Sequence, residues 1–272
     1  MAAMTAQPTI LVFDSGLGGL TVLREVVKAR ADARFVYAAD DAFFPYARQD
    51  EGKLITRVLA VMAELIDAHR PDLVVIACNT ASTLVLPHLR EKFKVPFVGT
   101  VPAIKPACSS SSSKLVTVLG TEATVKREYT RTLIVEHGNN CAVTLVGSPR
   151  LAELAEMELN GEPASDGDIA TEISPCFIEA NGAHTDTIVL ACTHYPLLLN
   201  RMKSLALWPV NFIDPAPAIA RRVLDLTGAP LPGAATKPTR FVFTSGKTPS
   251  AALQTALRRF ATPLEAASGL SI

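Results

Sequence analysis

The chain has 272 residues, 49% of them hydrophobic and 19% charged, a balance that suits a compact globular enzyme and excludes a disordered chain. Basic and acidic residues both number 26, so the net charge is zero and gives no electrostatic reason to expect nucleic acid or an anionic membrane as partner. No apolar run reaches the roughly 20 residues of a membrane helix, Met1–Pro8 reads as a short tail rather than a signal peptide, and the five scattered cysteines lack a C-x-x-C pair and fit reduced, cytoplasmic thiols.

Thr9–Phe13 is a short apolar run rich in β-branched residues, which predicts a buried strand. It ends at Asp14-Ser15-Gly16, and a Gly-rich turn leads into a helical pattern over Leu20–Ala29. Arg34–Ala39 reads as a second strand. Leu54, Val58, Val61 and Leu65 recur at helical spacing and predict a helix over Lys53–His69. Asp72–Ile76 is the next strand, followed by a helix through Leu89 and a strand at Pro96–Val98. This alternation predicts a parallel sheet with helices on both faces.

The rhythm restarts at Lys114. Leu115–Leu119 is a strand and Gly120-Thr121 opens a helix. Ala142–Val146 is a further strand, Ile169–Ala180 reads as a helix, and Asp186–Leu190 as a strand. A last strand is expected at Arg240–Phe243, after the Pro- and Gly-rich stretch Ala229–Pro238. The serine run Ser109–Ser113 reads as a solvated loop tip near the boundary between two related units.

One device occurs twice. Ala77-Cys78-Asn79-Thr80 follows the Asp72 strand, and Ala191-Cys192-Thr193-His194 follows the Asp186 strand, so Asp72–Ser82 and Asp186–Pro196 form a weak internal repeat. Sites in parallel sheets form beyond the carboxyl ends of strands, and Asp14, Cys78, Thr121 and Cys192 all stand there. A lone cysteine is usually an inert small hydrophobe, and Cys108, Cys141 and Cys176 are read that way. Two thiols in matched positions before helix starts are different, because a helix N-terminus stabilises a thiolate. Such a pair fits a reaction that takes a proton from one face of a carbon and returns one to the other. His194 is close enough in sequence to serve Cys192, or it fills a cap. Asp14, Ser15, Asn79, Thr80 and Thr193 also have cap readings, which are compatible with binding a substrate carboxylate at the same helix starts.

Asp14–Gly19 lacks the order of a dinucleotide fingerprint, and no Walker lysine motif is present. No lysine occupies the strand ends for a pyridoxal Schiff base. Cys78, Cys192 and His194 would be an incomplete zinc set. No cofactor and no metal are expected.

Val12–Leu20, Pro45-Tyr46, Ala77–Ser82 and Cys192–Pro196 together resemble the signature set of bacterial glutamate racemases, in order and over about residues 9 to 223. Pro102–Pro106, Gly120–Thr124 and Ala218–Arg222 agree. The resemblance implies two similar parallel-sheet α/β domains with the active site in the cleft between them. The first would comprise 1–98 plus 210–272, because the chain end returns to it, and the second 99–209. It implies a cofactor-independent racemase that makes D-glutamate for peptidoglycan. Cys78 would take the α-proton of D-glutamate and Cys192 that of L-glutamate. Asp14 would assist the first thiol, and His194 with Glu156 the second. Ser15, Tyr46, Ala47, Asn79, Thr80, Thr121, Thr124 and Thr193 would join Asp14 and His194 in contacting substrate, Ala47 through its backbone.

The chain departs from the family pattern at Ala47, which replaces glycine, at Gly147-Ser148-Pro149, which replaces Ala-Cys-Pro, and at Asp214-Pro215-Ala216, which replaces Asp-Ser-Gly. The expected partners are glutamate as a small-molecule substrate and a second copy in a homodimer, with no nucleic acid and no membrane; the expected location is the cytoplasm. Rival readings are a racemase for aspartate or hydantoins, a non-catalytic amino-acid-binding protein that keeps the fold, and a cysteine-nucleophile hydrolase that needs one thiol with a histidine base.

Overall fold

The computed structural model describes residues 7–138, 140–233, 237–261 and 268–269. Residues 1–6 of the expected tail and 234–236 of the expected Pro- and Gly-rich stretch lie outside the described residues. The chain divides into two compact units, residues 1–100 with 216–272, and residues 101–215.

The chain opens with β1 (Thr9–Asp14), α1 (Leu20–Ala29), β2 (Arg34–Ala39), α2 (Glu51–His69), β3 (Leu73–Ile76), α3 (Asn79–Lys92) and β4 (Phe97–Gly99). Then come α4 (Ile104–Ser110), β5 (Leu115–Thr121), α5 (Glu122–Lys126), α6 (Glu128–His137), β6 (Ala142–Ser148), α7 (Leu151–Leu159) and α8 (Asp166–Ile173). The ribbon β7 (Glu179–Ala180) and β8 (Ala183–His184) precedes β9 (Thr187–Ala191), α9 (Leu199–Ser204) and β10 (Asn211–Ile213). The chain closes with α10 (Ala216–Thr227), β11 (Arg240–Phe243), α11 (Ala251–Leu257) and β12 (Ser268–Gly269).

The first unit holds a six-stranded sheet in the order β12-β11-β2-β1-β3-β4, with every pairing parallel. The second holds a four-stranded parallel sheet, β10-β9-β5-β6. β10 pairs with β9, so the chain leaves the second unit after Pro215, beyond the return at 210 that the family resemblance implies.

Strands covered on both faces read as unbroken apolar runs, which is why β1, β3 and β9 stand out in the sequence; Leu73–Ile76 and Thr187–Ala191 are buried throughout. In the first unit Leu54, Val58, Val61, Met62 and Leu65 of α2 pack on Leu11, Val36 and Val74. The Asp50 carboxylate caps α2 by accepting the Lys53 N–H at 3.0 Å. Gly19 permits a close approach at the start of α1. A Cβ there would lie 2.8 Å from Asp14 Cβ and 3.0 Å from Ala77 Cβ.

Two expectations fail locally. The helix predicted over Ile169–Ala180 stops at Ile173, because Pro175 has no N–H to continue it. A short 3-10 turn over Ser174–Cys176 follows, and the ribbon β7–β8 takes the residues after it. The serine run is also not a simple loop tip. Ser109 and Ser110 end α4 and Ser111 is buried. The Ser111 hydroxyl and the N–H groups of Ser112 and Ser113 donate to the Asp186 carboxylate at 2.7, 2.7 and 2.8 Å. Asp72 does the same for the start of β1, accepting the Thr9 N–H at 2.8 Å. The internal repeat therefore includes an aspartate that ties each cysteine strand to the segment entering its neighbour.

Burial alone would raise the Asp186 pKa, but the bonds from Ser111, Ser113, Thr187 and Ser112 outweigh it and hold the carboxyl at about 2, below the ordinary 3.8. The folded value is depressed, so its contribution to stability is full above about pH 4 and fades as pH falls through about 2. Asp186→Asn is expected to cost about 1 kcal/mol at pH 7, after discounting for partial exposure. Denaturant titrations of both proteins from pH 7 downward check this, and a difference that is unchanged near pH 2 contradicts it.

Candidate active site

In the first unit Asp14 is the last residue of β1 and is wholly buried. Its Oδ2 accepts the N–H groups of Gly16 at 3.3 Å and Gly19 at 3.0 Å, so the carboxylate does close the turn before α1. Ser15 follows it, and its hydroxyl lies 3.6 Å from Cys78 Sγ. Cys78 is the N-cap residue of α3, two residues beyond β3, with only 5% of its surface exposed. Its side chain caps nothing. The thiol therefore sits where helix N–H groups favour its ionised form.

Asn79 and Thr80 begin α3 and are buried. Both polar atoms of the Asn79 amide are buried without a hydrogen-bond partner among the described residues. A buried amide left this way costs on the order of 1–3 kcal/mol, and such groups in a native site mark a place for a ligand or water.

Tyr46 is buried in a 3-10 turn over Tyr46–Arg48, and its hydroxyl donates to Asp40 Oδ2 at 2.7 Å. Asp40 also accepts from Arg57 Nη2 at 2.7 Å and from Thr244 Oγ1 at 2.6 Å. Burial, then the Asp40 charge, holds the Tyr46 pKa well above that of a free phenol, with Cys78 and Asp14 adding to the effect. The phenol stays neutral. Asp40, Arg57 and Thr244 were absent from the sequence-based site, although Ala38-Ala39-Asp40 leaves β2 as Phe13-Asp14 leaves β1. Ala47 lies in the same 3-10 turn and is not among the described residues with positive φ, so no left-handed backbone demands glycine there.

In the second unit β5 ends at Thr121, which caps α5 by accepting the Thr124 N–H at 3.2 Å. The two threonine hydroxyls are 2.9 Å apart, and both residues are buried. β9 ends at Ala191; Cys192 and Thr193 follow it, both buried. Here the repeat is imperfect. Cys78 enters a 14-residue α-helix, whereas Cys192 is followed by a 3-10 turn over Tyr195–Leu198 with His194 at its N-cap.

His194 supplies what the shorter turn lacks. Its Nδ1 lies 3.8 Å from Cys192 Sγ, and its Nε2 lies 2.7 Å from Glu156 Oε1 on α7. Burial alone would lower the His194 pKa, but its bonds to Cys192 and Glu156 outweigh this and push it well above 6.5. An imidazolium has an N–H on each ring nitrogen, one for the sulfur and one for the carboxylate. The start of α7 is held in turn by Ser148, whose hydroxyl donates to Glu172 and accepts the Leu151 N–H at 3.0 Å. Ser148 and Glu172 were not read as site residues. The departure from the family pattern at Ser148 leaves Glu156 in contact with His194.

Among the described residues no group of three or more His, Cys, Asp or Glu side chains is arranged to hold a metal ion. No helix among them is long and apolar enough to cross a membrane.

Residues 10–223 match the model of the Asp/Glu/Hydantoin racemase family. A curated glutamate racemase from Mesorhizobium japonicum is 55% identical over 90% of this chain and 94% of its own length. Among solved structures, the Escherichia coli glutamate racemase in complex with L-glutamate and the activator UDP-MurNAc-ala superposes with a TM-score of 0.88 at 36% identity, covering 97% of this chain and 98% of that one. The glutamate racemase of Aquifex pyrophilus gives a TM-score of 0.71 at 28% identity, over 96% and 98% of the two chains.

The imidazolium depends on its carboxylate neighbour, so Glu156→Gln is expected to move the His194 titration to lower pH. NMR of the ring nitrogens reads this directly. A titration midpoint unchanged in the variant would contradict the role given to Glu156.

Proposed function

Because the chain belongs to the Asp/Glu/Hydantoin racemase family, we propose that it interconverts L- and D-glutamate by proton transfer between two cysteines, without a cofactor, and supplies D-glutamate for peptidoglycan synthesis. The observation that carries this reading is the pair of buried thiols, each just beyond the carboxyl end of a strand in its own parallel sheet. The two units then act as domains that enclose glutamate, with one thiol on each face of the α-carbon. The enzyme works in the cytoplasm as a homodimer.

The α-proton of an amino acid is very weakly acidic, so the base must be strong and the charge it creates must be met by fixed dipoles. With L-glutamate the Cys192 thiolate, beside the His194 imidazolium, removes the α-proton. The Cys78 thiol then delivers its proton to the opposite face. The product is D-glutamate, and the enzyme is left with a Cys192 thiol and a Cys78 thiolate, ready for the reverse reaction. Asp14, held by the Gly16 and Gly19 N–H groups, assists Cys78.

Ser15, Asn79, Thr80, Thr121, Thr124 and Thr193 bind the substrate's charged groups, with a backbone contact at Ala47. The unsatisfied amide of Asn79 supports this, because a bound carboxylate or ammonium would complete it. Tyr46 also contacts substrate and is oriented by its bond to Asp40. Exclusion of water by closure of the domains strengthens these interactions and prevents stray protonation.

Either cysteine replaced by alanine is expected to lower racemisation by at least roughly 10²–10⁴-fold, followed by circular dichroism of L- and D-glutamate without added cofactor. Serine variants separate the two thiols. A β-substituted glutamate that expels its leaving group needs only one proton abstraction. Cys192→Ser should eliminate from the D form through Cys78, and Cys78→Ser from the L form through Cys192. Equal loss for both enantiomers in both variants, or full racemisation in either alanine variant, would refute the assignment.

A further inference from the structure

The amino ends of the first unit's strands carry a feature that the racemase chemistry does not use. An open cavity of about 550 Å³ is lined there by Arg34, His69, Lys237 and Arg240, together with Thr9 and Val36 among others. Among the described residues that line it, none is acidic. β1 spans six residues, so this cavity and Asp14 lie at opposite ends of the same strand, roughly 17 Å apart.

Strand register explains why the cations gather. Thr9 pairs with Arg34, Leu11 with Val36, and Arg240 with Val36. Side chains of paired residues share a face, and residues two apart along a strand share it too. Arg34 and Arg240 therefore project on the face that Leu11 and Val36 present to α2. His69 ends α2, four residues after the core residue Leu65, and so lies on the inward side of that helix. Lys237 enters from the segment before β11.

Two further observations describe the field inside. The Nε2 atom of His69 is buried and has no hydrogen-bond partner among the described residues. Burial, then the Arg240 charge, holds the His69 pKa below its ordinary value, so the imidazole is neutral near pH 7 and either ring nitrogen is open to carry the proton. The nearby carboxylate of Asp72 is engaged with the Thr9 N–H. Three basic side chains around one concave place raise the local potential and recruit an anion.

We propose that this cavity is a binding site for a small phosphorylated anion, held by Arg34, Lys237 and Arg240 beside His69. Guanidinium groups match phosphate oxygens two at a time, and three cations balance a di- or trianion better than a single carboxylate. The site lies at the opposite end of the first sheet from Cys78 and does not rest on the racemase reading.

Inorganic pyrophosphate is the probe, titrated calorimetrically into the full chain with D-glutamate at saturation. One-site binding is expected, with a shift of the His69 ring-nitrogen resonances. Affinity should fall at least about tenfold in the Arg34→Ala/Arg240→Ala variant. Both arginines are exposed, so the fold should survive, and thermal melting checks it. Lys237→Glu is a second variant and should weaken binding as well. Absence of binding at millimolar pyrophosphate, binding unchanged in the variants, or displacement by D-glutamate would overturn the proposal. Citrate binding as tightly as pyrophosphate would overturn the phosphate class. A protein that binds pyrophosphate here but does not racemise glutamate would leave this site standing and remove only the proposed function.

Discussion

A thiol is a base only when it has lost its proton, and a buried thiolate needs a positive neighbour. The chain Cys192–His194–Glu156 meets that need in the second unit. Its parts come from different elements. The cysteine and histidine leave β9, and the glutamate comes from α7. Their meeting depends on the hold that Ser148 and Glu172 have on the start of α7, and on the Asp186 anchor at the entry to β9. Loss of the carboxylate would remove one of the two groups that favour the buried imidazolium and so lower the His194 pKa.

The first unit surrounds its thiol with different parts. Cys78 has a long helix behind it and the Ser15 hydroxyl beside it, and the Asp14 carboxylate at the end of β1 is tied down by backbone N–H groups. Asp40 gathers Tyr46, Arg57 and Thr244 into one buried cluster that fixes the phenol. A duplicated strand-and-cysteine device has thus diverged in how it supports each thiol. That asymmetry suits a reaction in which the two sulfurs hold opposite protonation states at any moment.

The strands were legible because parallel strands buried on both faces leave continuous apolar runs, and β2 and β11 fall at the predicted residues. The two cysteine runs were legible because the same tetrapeptide pattern follows two such strands. Less legible were the parts made by distant residues. Thr244 and Asp40 lie 204 positions apart, and no local pattern joins them. The serine run looked like a solvated tip because composition is blind to an aspartate 75 positions further on. The helix predicted through Ala180 ignored Pro175, whose missing N–H outweighed the apolar periodicity. Glu156 was reached through the resemblance alone, since α7 had not been read as a helix.

The central claim is that two bases share one α-carbon, and the fate of solvent deuterium tests it most directly. In D2O the base that receives the substrate's protium is not the group that delivers the new hydrogen. At early times the enantiomer formed should carry deuterium at the α-carbon, while the remaining substrate keeps its protium, in both directions. Proton NMR of the two enantiomers, separated after less than a tenth of the reaction, reads this out. Deuterium entering the unreacted substrate as fast as the product would show a single base serving both faces, and would contradict the account.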